Sequence, residues 1–367
     1  WPLFLFNGLA LTALVAWTGS LRLPLAQAGL ALHAFAWALL AYYHYRVHHA
    51  LPVLDGSDVP DHEHPFSAHL TDEERALLGE LRVSPWPVAF RTPAMRRVEV
   101  TRSVVFREVG GVRLRVDIYR PRERSRTLPS AVYLHGGGWV IGSRRQSPFL
   151  MYELAAAGWA VFAVSYRLAP RFPLPAAVHD AKAALAWVRE HAHEYGAEPD
   201  AVVLGGSAGG HLALLMALTA NDPRFQPGFE SADTRVRGAV VLYGFSDFMS
   251  ALEERPHPGV VAFFERVVFK QRYRDDPETF RLLHPPAHVS AGAAPILLVH
   301  GRHDEFVPFA QSERLYQSLL AAGAKDTHLL EVPFGLHAFE ILPSPLHQRA
   351  IRIILRFMES LRRAGVS

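Results

Sequence analysis

The sequence predicts an α/β fold, a mostly parallel central sheet with helices on both faces, from three observations. First, "VEVTRSVVFREV" (98–109) and "VRLRVDIYRP" (112–121) meet at Gly110-Gly111, a pair that accepts the positive φ angles of a tight antiparallel hairpin. Second, short apolar runs recur at 131–134, 160–165, 201–204, 238–243, 295–300 and 328–332. Continuous rather than alternating apolar character marks strands covered on both faces, as in parallel sheets. Third, helix-forming stretches near 148–157, 176–194, 208–220, 309–322 and 346–363 separate most of these strands. Residues 246–290 break the rhythm with a long mixed segment, expected as a lid or part of a substrate pocket.

With 367 residues, the chain is expected to hold one large α/β domain (98–367) and an accessory part. Half of the residues are hydrophobic, a fifth are charged and the net charge is only +3. No Lys/Arg block with interleaved aromatics stands out, so a nucleic-acid partner is not expected. The absence of cysteine excludes disulfides, thiol catalysis and cysteine-based metal sites. There is no internal repeat. The chain opens at Trp1 rather than methionine, so its natural start is expected to lie upstream.

Residues 1–45 contain two runs without a charge, 3–20 and 23–43, each near the roughly 20 residues that cross a bilayer as a helix. Trp17, Tyr42, Tyr43 and Tyr45 lie at the run ends, where an aromatic belt would sit. The expectation is a hydrophobic helical hairpin that anchors the protein to membrane lipids through transmembrane helices. The alternative is a hairpin that packs on the catalytic domain or joins copies into a homo-oligomer. Arg46, with His44, His48 and His49, favours a cytoplasmic catalytic domain. Residues 46–97 read as a linker and cap helix, with "TDEERALLGELR" (71–82) capped by Thr71 and Glu74. Asp61, His62, Glu63, His64 and His69 lack the H-E-x-x-H helical spacing and stand among Pro60 and Pro65, so a solvated loop, not a metal site, is expected.

The stretch "LGGSAGGH" (204–211) lies between a strand-like run and the helix former "HLALLMALTA". Gly205 and Gly209 flank Ser207 at G-x-S-x-G spacing, where glycines make room for a sharp turn that presents the serine. A phosphate loop would need Lys and Ser/Thr after its last glycine, but Gly210 and His211 stand there. A serine nucleophile needs a base, an acid that orients the base, and donors for an oxyanion. "AVYLHGGGW" closes a strand with His135, Gly136, Gly137 and Gly138, whose backbone N–H groups can face a developing charge together with that of Ala208. "PILLVHGRHDEFVP" leads to Asp304, and "LLEVPFGLHAFEIL" leads to His337. The chain order Ser207, Asp304, His337 is that of an α/β-hydrolase.

Over residues 98–365 the chain resembles the hormone-sensitive-lipase-like group of α/β-hydrolases, with its bacterial esterases. "HGGGWVIGS", "SYRLAPRFPLPAAVHDAKAALAWV", "GGSAGG", "HGRHDEFVP" and "GLHAF" carry the resemblance. It implies a serine carboxylesterase or lipase, with Ser207 as nucleophile, His337 as base and Asp304 as its partner. It further implies Gly137, Gly138 and Ala208 as oxyanion donors, His135 as the residue that shapes their loop, and neither metal nor organic cofactor. Tyr166 and Arg167 are implied to hold architecture. Two positions depart from the family: Gly206 replaces its usual acidic residue, and Arg171 its usual Glu. In the family a short helical cap covers the site, a part that residues 66–97 could play. Related H-G-G families leave an amide or formamide hydrolase, or a prenylcysteine-methylesterase-like enzyme, as the alternative. A non-catalytic binding protein on this fold would be expected to lack a triad residue, and none is lacking. Phe245, Phe248, Met249, Phe263, Phe264 and Phe269 in the insertion are read either as a lid suited to apolar acyl esters at a membrane or as ordinary core.

Overall fold

The computed structural model describes residues 12–13, 17, 19, 22–55, 92–123, 127–254, 257–324 and 326–364. Eight strands form one sheet in the order β1-β2-β4-β3-β5-β6-β7-β8. β1 (Val98–Val109) and β2 (Val112–Pro121) pair antiparallel across Gly110 and Gly111, whose φ angles are +57° and +72°. β2 also runs antiparallel to β4 (Ala160–Val164). Every other pairing is parallel, through β3 (Leu128–Leu134), β5 (Ala197–Gly206), β6 (Gly238–Leu242), β7 (Ile296–Gly301) and β8 (Thr327–Val332). β3 begins before its apolar run with Leu128, Pro129 and Ser130, all buried, and β5 begins before its own run at Ala197. The added start of β5 carries half-buried Glu198 and Asp200, and Arg237 pairs with Glu198 at 3.0 Å.

Helices α1 (Pro24–Asp55) and α2 (Ala94–Arg97) precede the sheet. Within it lie α3 (Pro148–Ala156), α4 (Leu174–His191), α5 (Ala208–Leu218), α6 (Met249–Glu253), α7 (Pro258–Ala262), α8 (Pro277–Leu282), α9 (Ala310–Ala321) and α10 (Pro345–Ala364). The two-residue period of the strands divides the core. Val132, Leu134, Phe162 and Val203 bury against Val178 and Leu185 of α4 and Leu212 of α5. Their neighbours Tyr133, Val161, Val202 and Leu204 bury with Leu150 and Leu154 of α3 and Ile351 and Met358 of α10. Each such side chain contributes about 1.5–3 kcal/mol by leaving water. Parallel pairing sets the C-terminal ends of these strands, and the loops that follow them, along one edge of the sheet, where ligands bind in open α/β sheets.

The insertion 246–290 holds α6, α7, a π-helical turn (Phe263–Val268) and α8. Phe248, Met249, Phe264 and Phe269 are buried there as core, with Phe269 stacked on Phe280 at 3.8 Å. Phe245 and Phe263 are only half-buried.

The second apolar run is helical, but α1 continues to Asp55, so the boundary expected after residue 45 falls inside a helix. No glycine or proline from Tyr43 to Leu51 interrupts it. The first run lies mostly outside the described residues, as do the expected cap helix 71–82 and the His/Asp-rich stretch 61–69; one arm of the expected hairpin is thus described. α1 packs on α10 and β8. Ala26, Leu30, His33 and Trp37 form its half-buried stripe, while Leu25, Leu32, Phe35 and Leu39 are exposed. The transmembrane expectation is corrected: among the described residues no helix is long and apolar enough to cross a membrane. Gln27 and His33 dilute the run, and Tyr, His and Arg follow it.

Candidate active site

Ser207 is the single residue between β5 and α5, with φ +55° and ψ −119°. Strand and helix meet there too closely for side chains. A Cβ on Gly205 would lie 2.5 Å from the Gly209 backbone, and one on Gly209 would lie 2.1 Å from the Leu134 carbonyl oxygen. The turn is pinned from the next strand, where Leu242 O accepts the Ser207 N–H at 2.9 Å.

Three loops bring the predicted residues to this turn. The His337 imidazole places Nε2 3.1 Å from Ser207 Oγ and Nδ1 2.8 Å from Asp304 Oδ2. An ionised carboxylate only accepts, so Nδ1 carries the proton and Nε2 keeps a lone pair facing the serine hydroxyl. Asp304 Oδ1 accepts the backbone N–H groups of Phe306 and Val307 at 2.9 and 2.8 Å. Burial pushes its carboxyl up, yet the bonds from His300, His337 and Val307 together hold it well below the usual carboxylate range.

His300 is a site residue that sequence reasoning missed. Its Nε2 lies 2.8 Å from Val307 O and 3.3 Å from Asp304 Oδ2, and its Nδ1 lies 2.7 Å from Ser312 Oγ. A carbonyl cannot donate, so Nε2 carries the proton and Asp304 Oδ2 is held from two sides. The available signal was one polar residue closing the apolar run "PILLVH".

The glycine loop after β3 lies against the serine: a Cβ on Gly136 would be 3.5 Å from Ser207 Cβ. Gly137 has φ +116°, and a side chain there would meet Ile141 O at 2.2 Å. Val140 and Ile141 donate to Gly137 O at 3.1 and 3.0 Å, which closes the loop and turns it. Among the described residues, no backbone acceptor takes the N–H of Gly137, Gly138 or Ala208. His135 braces the loop from below. It stacks on Tyr166 at 4.2 Å, its Nδ1 donates to Gly136 O at 2.8 Å, and Tyr166 Oη donates to His135 O at 2.6 Å. Burial pushes the His135 imidazole down to about 4, so it is neutral near pH 7. Arg167 binds Asp180 through Nε and Nη2, both at 2.8 Å. The far end of the loop is tied to the hairpin by buried Asp117, which accepts Arg144 Nε and Ser103 N, both at 2.7 Å. That anchor also lay beyond sequence reasoning.

Phe263 faces the loop, its Cζ 3.6 Å from where a Gly138 Cβ would stand. Around the mouth, Ile141, Phe306 and Leu336 are exposed, and the Phe306 ring lies 5.4 Å from His337. Among the described residues no group of three His, Cys, Asp or Glu side chains is placed to hold a metal ion.

The BD-FAE family profile matches residues 116–319, a span that holds the glycine loop, Ser207 and Asp304 and ends before His337. The chain is 44% identical over 220 residues to the probable carboxylic ester hydrolase LipM of Mycobacterium tuberculosis, covering 59% of this chain and 51% of that protein. It is 32% identical over 292 residues to the esterase LipC of the same organism, covering 76% of this chain and 71% of that one. The chain thus spans about half the length of relatives such as LipM and LipQ, at 51% and 56%. A butyrate-bound thermophilic esterase of Thermogutta terrifontis shares the fold with a TM-score of 0.57 and 25% identity, covering 74% of this chain and 94% of that one. Matched across its sheet and its glycine and serine turns, the chain belongs to the BD-FAE family, within the hormone-sensitive-lipase-like group of α/β-hydrolases.

Proposed function

We propose that the chain is a serine carboxylesterase, with residues 98–367 as its catalytic domain and Ser207, His337 and Asp304 as its triad. One observation carries the reading: the relay from Asp304 through His337 to Ser207, at 2.8 and 3.1 Å, beside the free N–H groups of the glycine loop. His337 Nε2 takes the Ser207 proton as Oγ attacks the ester carbonyl, and Asp304 steadies the imidazolium. Gly137, Gly138 and Ala208 hold the oxyanion, where losing one donor typically costs about 2.7–4 kcal/mol. The imidazolium then protonates the leaving alcohol. Water attacks the acyl carbon as His337 takes its proton, and Ser207 leaves protonated.

The substrate is an ester with an apolar acyl part set against Phe263 and Phe245, met at a membrane. The exposed Leu25, Leu32, Phe35 and Leu39 of α1 support that placing, since contiguous exposed apolar side chains mark interaction surfaces. A second copy of the chain on α1 is the competing occupant.

The test is initial rates on p-nitrophenyl esters from acetate to palmitate, for wild type and Ser207→Ala, with and without liposomes. Ester turnover that vanishes in Ser207→Ala is expected; no serine-dependent turnover of any ester overturns the reading. Rates that peak at short chains and ignore liposomes would remove the membrane part and leave the esterase.

A further inference from the structure

Gly206, the residue before the nucleophile, makes room for a tyrosine. A Cβ there would meet the Tyr243 hydroxyl at 2.7 Å and its ring carbons at 3.0 and 3.1 Å. Tyr243 follows β6 with φ +37°, a costly angle for an aromatic residue, and lays its buried ring edge-on to His337 at 4.7 Å. Its hydroxyl donates a short hydrogen bond to one carboxylate oxygen of Glu340, and Ser147 Oγ donates to the other at 3.0 Å. Ser147, with φ +51°, closes the loop that carries the oxyanion glycines. Glu340 is 2% exposed, and among the described residues no cation pairs with it. An unpaired buried carboxyl is expensive, and such groups gather where function requires them.

We propose that Glu340 is a positioning residue for the triad: joined to Tyr243 and Ser147, it fixes the His337 ring against Ser207 and places a negative charge behind it as the imidazolium forms. The inference rests on His337 being the base of the proposed reaction. Burial pushes the Glu340 carboxyl above the usual carboxylate range, and the hydrogen bonds from Tyr243 and Ser147 and the nearby His337 offset only part of that rise. The groups facing it are Tyr133, Tyr243, Ser147, His337 and His347; burial holds His347 down to about 4, and its Nδ1 donates to the Glu340 carbonyl. His337 is faced by Asp304, by the Tyr243 and Phe306 rings, and by Glu305, whose carboxylate lies 3.4 Å from the His337 backbone N–H. When ionised, Glu340 adds its charge to those of Asp304 and Glu305, and its removal is expected to weaken the protonated imidazole rather than abolish it.

The experiment measures kcat/KM against pH for wild type, Glu340→Gln, Tyr243→Phe and the double variant. The His337 ring nitrogens are titrated in parallel by NMR in the resting protein, identified by their loss in His337→Gln. Glu340→Gln keeps shape and removes charge, so the acidic limb and the ring titration move to lower pH by on the order of half a unit. Plateau kcat falls several-fold. Tyr243→Phe keeps the ring against His337 and moves both readouts the same way, and the double variant goes no further than the larger single. Superimposable profiles and titrations, with only Tm lowered, would make Glu340 structural and overturn the proposal. If Glu340→Gln does not fold, Tyr243→Phe decides alone. If wild type turns over no ester, the proposed reaction fails, while the ring titration still decides this inference.

Discussion

The turn at Ser207 and helix α1 both set glycine among apolar residues, four glycines in 204–211 and the one Gly29 in α1, and they differ in what surrounds them. At the turn, a Cβ on Gly209 would collide with a backbone oxygen 2.1 Å away, and one on Gly210 with Gly244 Cα at 2.7 Å. On α1, a Cβ on Gly29 would meet nothing within 4 Å. The residue type is shared; constraint is not. A glycine packed between backbones specifies a position to a few tenths of an ångström, whereas one on an open helix face only lowers helix propensity.

That contrast can be broken by substitution. The largest effect is expected at the turn: Gly209→Ala must push α5 away from the end of β3, at a cost above about 3 kcal/mol, seen as misfolding or a large fall in Tm with activity lost. A Gly209→Ala protein as stable as wild type would mean that the turn is looser than its geometry. A second loss, absent at neutral pH, should come from acid acting on the sheet domain. Burial pushes His135, His211 and His347 down to about 4. Their unfolded forms titrate near 6.5, so the native state binds fewer protons and its stability, full above about 6.5, is lost as pH falls from there toward 4. Thermal midpoints across that window should fall steadily; a flat series would contradict the burial. The smallest effect is expected on α1, and with opposite sign. Gly29→Ala should raise helicity and add roughly 0.5–1 kcal/mol to the helix, with unchanged turnover of a soluble short-chain ester. Lost activity there would tie α1 to the active site.

Much of this architecture is local and was legible for that reason. Gly110-Gly111 marks its own hairpin, and Ser207, Asp304 and His337 each follow a separate apolar run, so each could be placed at a strand end before any strand was paired. Strand order is not local. Nothing along the chain says that β4 slots between β2 and β3. The supporting side chains were hidden for the same cause: Tyr243 and Glu340 are 97 residues apart, each alone looks like an ordinary strand-end or loop residue, and only folding joins them. Asp117 is one polar residue within the hairpin strand, with nothing local to mark it as an anchor. α1 outran its predicted end because a change of polarity does not by itself stop a helix; it runs past Pro52 to Asp55.

The backbone of Ser207 bears on how durable such a chain can become. A serine held at φ +55° and ψ −119° sits where glycine would be at ease, and strained residues of this kind cost of order 1–3 kcal/mol. Selection for heat resistance alone would replace that serine, and with Ser207 as the proposed nucleophile, selection for turnover opposes it. Thermostable descendants of this chain must therefore be sought on its outer helices and loops, with the one tense residue left as it is.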